Sequence, residues 1–296
     1  MDEIITNKIK NLNIKWDYEP FPHTVIDNFL PSNNFKKISD NLKLINNFKD
    51  LKKNFSTHVE FNKKVYGDKD LSGELKIPVN ILGSKLIKNI FEKFLNVKNM
   101  ISLADWENYG GYYPFHSMNT GGVLGAHVDH SHSEDDLLHV ANAIYYVSDK
   151  WDESWGGETF FSNDIGTKIV KKIIPKPNRL VLFIHSSQAF HGVNKISSPS
   201  DIKRNTYYMD YYIKDSEFIK MIDNQKKNIG KSLNYTHHTT TFIPLFPIGL
   251  KSFEIKFLGM KNTYKYILKY MQYLIARFIF GYQFSGFLKK LFTKKN

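Results

Sequence analysis

An α+β fold is predicted for this chain, with a β core of sandwich or jelly-roll type, helices ahead of it and a helical extension behind. Three observations predict it. From about Ile101 to Ile213 the chain breaks into short runs of β-branched and aromatic residues, separated by Gly, Asn, Asp and Pro. Before that stretch, apolar residues recur at helical spacing. The chain is 42% hydrophobic and 15% aromatic, ample for a sizeable core and unlike a disordered polymer.

Residues 1–20 read as a short helix or lead-in. Thr24-Val25-Ile26 reads as a strand, which Pro31 ends. Ser32 is placed to cap a helix over about 34–48, with Phe35, Ile38 and Leu42 at helical spacing. Residues 49–72 are polar and turn-rich, and a second helix is expected across Val79 to Leu95. Strands are then expected at 101–106, 112–118, 122–129, 139–147, 157–161, 168–174, 179–184, 190–195 and 204–213. Asn119 and the Gly121-Gly122 pair suggest a hairpin turn between the second and third of these. Many short strands at this spacing point to a closed or sandwiched β core, with the preceding helices on one outer face. Residues 216–229 read as helical, Tyr235 to Thr241 as a polar loop or strand, and Lys261 to Gly281 as a last helix. The expected organisation is 1–100 as helical support with a first strand, 101–215 as the β core, and 216–296 as a basic, partly helical extension.

Composition excludes several classes. There are no cysteines among the 296 residues, so disulfides, thiolate metal sites and cysteine nucleophiles are ruled out. That fits a reducing compartment, and the first residues lack the basic start and apolar run of a signal peptide, so a cytoplasmic protein is expected. The net charge of +12 is concentrated at the end: from Lys251 to Asn296 there are ten Lys or Arg and one acid, Glu254. In the last helix Lys265, Lys269 and Gln272 share one face, opposite Ile267, Leu268, Met271, Leu274, Ile275 and Phe278. This pattern suits packing, homodimerisation, or peripheral contact with a membrane or polyanion. Lys269 and Arg277 interrupt the apolar run and argue against a spanning helix, and no basic-aromatic stacking motif points to nucleic acid.

The chemistry centres on Gly125-Ala126-His127-Val128-Asp129-His130. On a strand, His127 and Asp129 point to the same side, so an imidazole and a carboxylate can share one metal ion. His191, in Ala189-Phe190-His191-Gly192-Val193, is the best third ligand. Two histidines and one carboxylate leave open positions and suit a non-haem Fe(II) that activates oxygen. His185 is a rival to His191, while His130 and His132 lead into an acidic loop that reads as a solvated rim. Gly156 and Gly157 read as a turn or a close backbone approach, and Trp151 and Trp155 as loop packing.

The ordered set His127-x-Asp129, Trp155-Gly156-Gly157-Glu158-Thr159-Phe160-Phe161, Phe190-His191-Gly192-Val193 and Arg204 resembles the iron(II)/2-oxoglutarate-dependent dioxygenases, in particular the prolyl 4-hydroxylase-like branch. The resemblance covers about 101–213, and the Pro22 to Leu30 segment is also similar to an opening segment of that branch. It implies a double-stranded β-helix, or jelly roll, with Fe(II) on His127, Asp129 and His191 and the distal carboxylate of 2-oxoglutarate on Arg204. A guanidinium fork matches such a carboxylate bidentately. Tyr146 occupies the place of a tyrosine that binds the same carboxylate in relatives; Tyr145 faces the opposite side. Thr206 and Tyr208 share the face of Arg204. There are two departures. Ser117 and Met118 stand where relatives often carry a tyrosine, and the segment from His191 to Arg204 is longer than usual, with 197–201 reading as an extended hairpin turn.

The implied activity is hydroxylation of an unactivated C–H with decarboxylation of 2-oxoglutarate to succinate and CO2. Fe(II), 2-oxoglutarate and O2 are the implied cofactors, with ascorbate a candidate addition. A prolyl or other amino-acid side chain, free or in a peptide, is the implied acceptor. The alternatives are the same chemistry on a glycan, lipid-linked or small-metabolite acceptor, and a non-catalytic binding module on the same fold. Tyr113, His116 and His130 are the residues expected to face the substrate.

Overall fold

The computed structural model describes residues 2–45, 52–55, 60–106, 112–133, 135–229, 233–238 and 240–243, together with Leu268, Met271 and Ile275. Helix α1 (Glu3–Lys10) begins at Asp2, whose carboxylate accepts from the Ile4 N–H. Strand β1 (His23–Ile26) and helix α2 (Ser32–Ile45) come next, then a hairpin of β2 (Lys52–Phe55) and β3 (Glu60–Tyr66). The hairpin lies within the stretch read as polar turn. Its sequence lacks a clear apolar alternation because β2 and β3 add on at the sheet margin, where Lys and Asn are tolerated. Helices α3 (Ile77–Leu82) and α4 (Lys85–Leu95) replace the single helix expected over 79–95. The break falls at Gly83 and Ser84. Ser84 is extended, with ψ at 156°, and a Cβ on Gly83 would lie 2.7 Å from the Ala104 Cβ.

The remaining strands are β4 (Ile101–Ser102), β5 (Phe115–Val128), β6 (Leu138–Tyr146), β7 (Thr159–Ser162), β8 (Ile169–Ile173), β9 (Arg179–Ile184), β10 (His191–Val193) and β11 (Arg204–Ile213). Helix α5 (Asp215–Ile229) and a short β12 (Thr241–Phe242) complete the described elements. The order across the curled antiparallel sheet is β1-β9-β6-β11-β5-β10-β7-β8, which is a jelly roll.

Strand β5 joins the two halves of this jelly roll. Its first part pairs with β11, through Met118 opposite Arg204, and its second part pairs with β10, through His127 opposite His191. β3 runs along both parts, with Lys63 opposite Met118 and Phe61 opposite Val123. Residues 119–122 therefore face Asn62 alone and form a wide bulge, not the hairpin turn that Asn119, Gly121 and Gly122 suggested. Gly121 takes φ at +80°, and the side chain of Asn62 donates to the Thr120 carbonyl at 2.9 Å. The Gly121 N–H donates to Ile196 (2.8 Å) and the Ile196 N–H to Gly122 (3.0 Å), so the chain leaving β10 stays on β5 across the bulge. The 197–201 segment is thus an excursion from one continuous edge, and β10 and β11 are not hairpin partners.

Side-chain alternation separates the two faces. On β11, Tyr207, Met209 and Tyr211 enter the helical layer, where the Tyr207 hydroxyl donates to Leu75 O (2.8 Å) and that of Tyr211 to Leu82 O (2.7 Å). Arg204, Thr206, Tyr208 and Asp210 face the interior of the jelly roll. β6 and β9 divide likewise, with Tyr145, Leu180 and Leu182 toward the helices and Tyr146, Val181 and Phe183 toward the interior. The helix predicted over 261–281 lies outside the described residues except for Leu268, Met271 and Ile275, which are helical and exposed. Among the described residues no helix is long and apolar enough to cross a membrane.

Candidate active site

His127 and His191 are register partners on β5 and β10, with ring centroids 4.3 Å apart. Asp129 follows one residue after β5, with Oδ1 3.4 Å from His127 Nε2 and Oδ2 3.5 Å from His191 Nε2. One ligand atom from each of the three lies within 4.8 Å of the others. Both rings are oriented in the same way. Nδ1 of His127 donates to the Gly125 carbonyl at 2.9 Å, and Nδ1 of His191 to the Ala189 carbonyl at 3.0 Å. A carbonyl only accepts, so each Nδ1 carries the proton and each Nε2 offers a lone pair to the centre. Burial, with His127 adding to it, lowers the pKa of His191 to about 4, which keeps the ring neutral and able to ligate. Burial opposes the charge on Asp129, but His191 and His127 hold its carboxyl well below the ordinary value. Two neutral imidazoles and an ionised carboxylate at this spacing fit Fe(II). Gly192 lets β10 lie this close to β5, since a Cβ there would meet Phe160 Cζ at 2.4 Å and Leu124 O at 2.5 Å.

Arg204 is 3% exposed. Its Nε donates to the Gly157 carbonyl at 2.7 Å and Nη2 to Thr159 Oγ1 at 2.8 Å. The Gly156-Gly157 turn, with φ near +70° at both residues (67° and 70°), presents that carbonyl, and a Cβ on Gly156 would lie 2.4 Å from Lys195 O. No carboxylate among the described residues forms an ion pair with Arg204. A buried guanidinium without an anion is costly, so the site fits an anionic ligand. The same cavity, of about 440 Å³, is lined by His127, Asp129, His191 and Arg204.

Thr206 and Tyr208 line this cavity, as do Tyr113, His116 and His130. His116 packs against Tyr208 with centroids 4.5 Å apart, and burial holds its pKa well below the ordinary histidine value. His130 Nε2 lies 2.7 Å from the Tyr212 hydroxyl. Tyr146 faces the same interior but stands behind the cavity wall, donating to Thr159 Oγ1 at 2.6 Å, while the Arg204 guanidinium carbon lies 5.1 Å from its ring centre. Tyr145 points the other way and donates to Asn178 Oδ1 at 2.9 Å. Each hydroxyl bond is worth about 1 kcal/mol net. Tyr145→Phe is therefore expected to lower stability by that order without changing 2-oxoglutarate saturation. Tyr146→Phe is expected to raise the KM for 2-oxoglutarate severalfold by loosening Thr159; thermal melts and KM measurements on both variants separate the effects.

Sequence reading missed Thr159, the Gly157 carbonyl and Asn142. Asn142 Nδ2 lies 3.3 Å from Asp129 Oδ2 and donates to Asp210 Oδ1 at 2.8 Å, which ties the carboxylate to β6 and β11. It also missed Glu60 and Lys63, an ion pair of 2.8 Å at the cavity, and Phe242, whose ring stacks on His127 at 5.0 Å. The period-two alternation of β6, which puts Asn142 on the face of Ile144 and Tyr146, was the only signal among them.

His185 is buried outside the metal group and stacks on His139 at 4.0 Å. Burial, with His139 adding to it, holds its pKa well below the model-compound value of 6.5. Below that value the unfolded chain binds more protons than the folded one, so stability is full above it and falls as pH drops toward the folded pKa. The slope from one histidine approaches about 1.4 kcal/mol per pH unit. Denaturant melts of the wild type and His185→Phe from neutral to acidic pH are expected to show the smaller fall in the variant.

A jelly roll in which two histidines and a carboxylate converge beside a buried arginine defines a scaffold for one non-haem metal and an anionic ligand. Residues 113–209, within the jelly-roll core, match the model of the 2OG-Fe(II) oxygenase superfamily. No curated protein matches the sequence. Among solved structures, a prolyl-4-hydroxylase of Pseudomonas putida is similar at 13% identity and a TM-score of 0.48, over 71% of this chain and 99% of its own. A prolyl hydroxylase of Trichoplax adhaerens, in complex with a hypoxia inducible factor peptide fragment, is similar at 15% identity and a TM-score of 0.45, over 72% of this chain and 89% of its own. HygX of Streptomyces hygroscopicus, with nickel and 2-oxoglutarate bound, is similar at 11% identity and a TM-score of 0.45, over 65% of this chain and 83% of its own.

Proposed function

We propose that this chain hydroxylates an unactivated C–H on a prolyl or other amino-acid side chain, free or within a peptide. The observation that carries this reading is the cavity itself: the His127, Asp129 and His191 group and the guanidinium of Arg204, which has no carboxylate partner among the described residues, line one space of about 440 Å³. His127, Asp129 and His191 would hold Fe(II). Arg204 would hold the distal carboxylate of 2-oxoglutarate, with Thr206 and Tyr208 beside it.

When bound, Fe(II) and 2-oxoglutarate supply the oxidation, in which O2 places one oxygen atom in succinate and one in the acceptor C–H while CO2 leaves. The protein's part is positional. Gly125 and Ala189 fix the tautomers of the two rings, and Asn142 steadies the Asp129 carboxylate. Gly157 and Thr159 leave Arg204 few orientations, so its charge is placed before the ligand arrives. Tyr113, His116 and His130 stand on the same cavity and are suited to contact the acceptor.

The test is turnover of the full chain with Fe(II), 2-oxoglutarate and a panel of peptides and free amino acids. Succinate release coupled to a product heavier by one oxygen atom is expected with a side-chain acceptor. Coupled turnover only with sugars or lipid-linked acceptors would replace the acceptor and keep the chemistry; no metal-dependent succinate at all would leave a binding module.

For the C-terminal segment we propose contact with an anionic surface such as a membrane. Its ten basic residues and the exposure of Leu268, Met271 and Ile275, at helical spacing, support this. Flotation of the full chain with anionic but not neutral liposomes is the expected result.

A further inference from the structure

Three residues outside the catalytic cavity have a metal-binding geometry of their own. His132 and Asp136 stand on the connection between β5 and β6, and His237 on the segment leading to β12; one ligand atom from each lies within 4.8 Å of the other two. None of the three lines the catalytic cavity. The imidazoles of His132 and His237 are stacked, with centroids 4.6 Å apart and planes 14° apart.

Their backbones are locked together. The Ser131 N–H donates to the His238 carbonyl at 3.0 Å, and the His238 N–H donates to Ser131 Oγ at 2.7 Å. The Ser131 hydroxyl in turn gives its proton to the His238 carbonyl at 3.0 Å. Its 2.9 Å contact with His132 Nδ1 is therefore one in which the ring donates. That leaves Nε2 of His132 with its lone pair outward, the same tautomer that Gly125 and Ala189 impose on His127 and His191. Burial and the neighbouring His237 disfavour a proton on His132, against the pull of Asp136 and Asp215. Two face-to-face imidazoles cannot both take a proton without repulsion, whereas a single cation shared with Asp136 satisfies all three. The buried group of His130, His139 and Asp210 is a poorer candidate. Both His139 nitrogens there face backbone carbonyls, at 3.0 and 3.1 Å, and His130 Nε2 meets the Tyr212 hydroxyl.

We propose that His132, Asp136 and His237 form a second divalent-metal site, suited to Zn(II), Co(II) or Ni(II), which staples the C-terminal segment across the rim of the active site. Two imidazoles and one carboxylate, with water in the remaining position, are an accepted donor set for such ions. Other anchors hold the same segment: the Leu233 N–H donates to Gln225 Oε1 at 3.1 Å, and Gln225 Nε2 donates to the Tyr235 hydroxyl at 2.7 Å. Ser187 binds the segment through Asn234 O (2.7 Å) and Thr236 O (3.0 Å), and Ile243 N–H reaches Ala126 O at 2.7 Å. Between these points β12 pairs with His127 and Val128, and Phe242 covers the His127 ring. A metal at His237 fastens the chain just before that cover and couples its order to the inner centre.

The test uses the metal-depleted full chain carrying His127→Ala and Asp129→Ala, which removes the inner centre. Titration with Co(II), read by absorbance, and with Zn(II), read by calorimetry, is expected to give about one saturable equivalent. Adding His237→Ala or His132→Ala is expected to weaken it at least about tenfold. His237 is exposed and His132 half-buried, so the His237 replacement is the one that leaves the packing intact. Hydrogen exchange is expected to slow in 233–243 when Zn(II) is added. Absence of saturable binding, or binding indifferent to both histidine replacements, overturns the site. Binding without slower exchange in that segment overturns the staple. Neither result bears on the inner centre, whose turnover is read separately.

Discussion

Asp129→Ala is expected to abolish Fe(II)-dependent consumption of 2-oxoglutarate. The carboxylate lies within 3.5 Å of both histidine Nε2 atoms and is the only anionic member of the group. Loss of a group that merely orients a ligand lowers metal affinity about 10- to 100-fold. Loss of the charged ligand itself is expected to exceed that range, because two neutral imidazoles remain to hold a divalent cation. Metal content after dialysis and succinate release under saturating 2-oxoglutarate are the measurements. Turnover at the wild-type rate in this variant would show that the centre lies elsewhere. Asn142→Ala serves as the graded companion: it removes a neighbour of Asp129 but no ligand, so a partial loss of metal affinity is expected.

Arg204→Met is expected to raise the KM for 2-oxoglutarate with a smaller change in metal affinity. Removing one partner of a buried charge pair costs about 2–5 kcal/mol, a weakening of roughly thirtyfold or more. Arg204→Lys is expected to recover little. A lysine keeps the charge, but it lacks the planar fork that here serves the Gly157 carbonyl, Thr159 and a carboxylate at once. The fold should tolerate Met, whose length is similar and whose burial carries no charge penalty. Saturation curves for 2-oxoglutarate at fixed iron distinguish this from a folding defect; an unchanged KM would remove Arg204 from the cosubstrate role.

The sequence by itself determined the ingredients and their order: a helical lead, a run of short strands, His127 and Asp129 at a strand end, then His191 and Arg204. These are local properties. Ligand chemistry follows from residue type, and the inner face of β11, carrying Arg204, Thr206 and Tyr208, follows from a period of two within one uninterrupted strand. The tertiary structure decided what that period could not carry across a break. The bulge at 119–122 lets β5 pair first with β11 and then with β10. A second irregularity, between Leu124 and His127 opposite β10, shifts the phase, so that His116, Met118 and Leu124 before it and His127 after it reach one cavity despite differing parity. Read as a turn, the same Asn and Gly residues hid the continuity of the strand. The pairing of His127 with His191 was equally beyond local reading, since it is a register choice between residues sixty-four apart in the chain. So were Thr159, Asn142 and the Gly157 carbonyl, ordinary polar groups that gain a role only from the side chain packed against them. Hydrophobic periodicity reports which face a residue is on, and only strand pairing, sensitive to each bulge, reports whom it meets there.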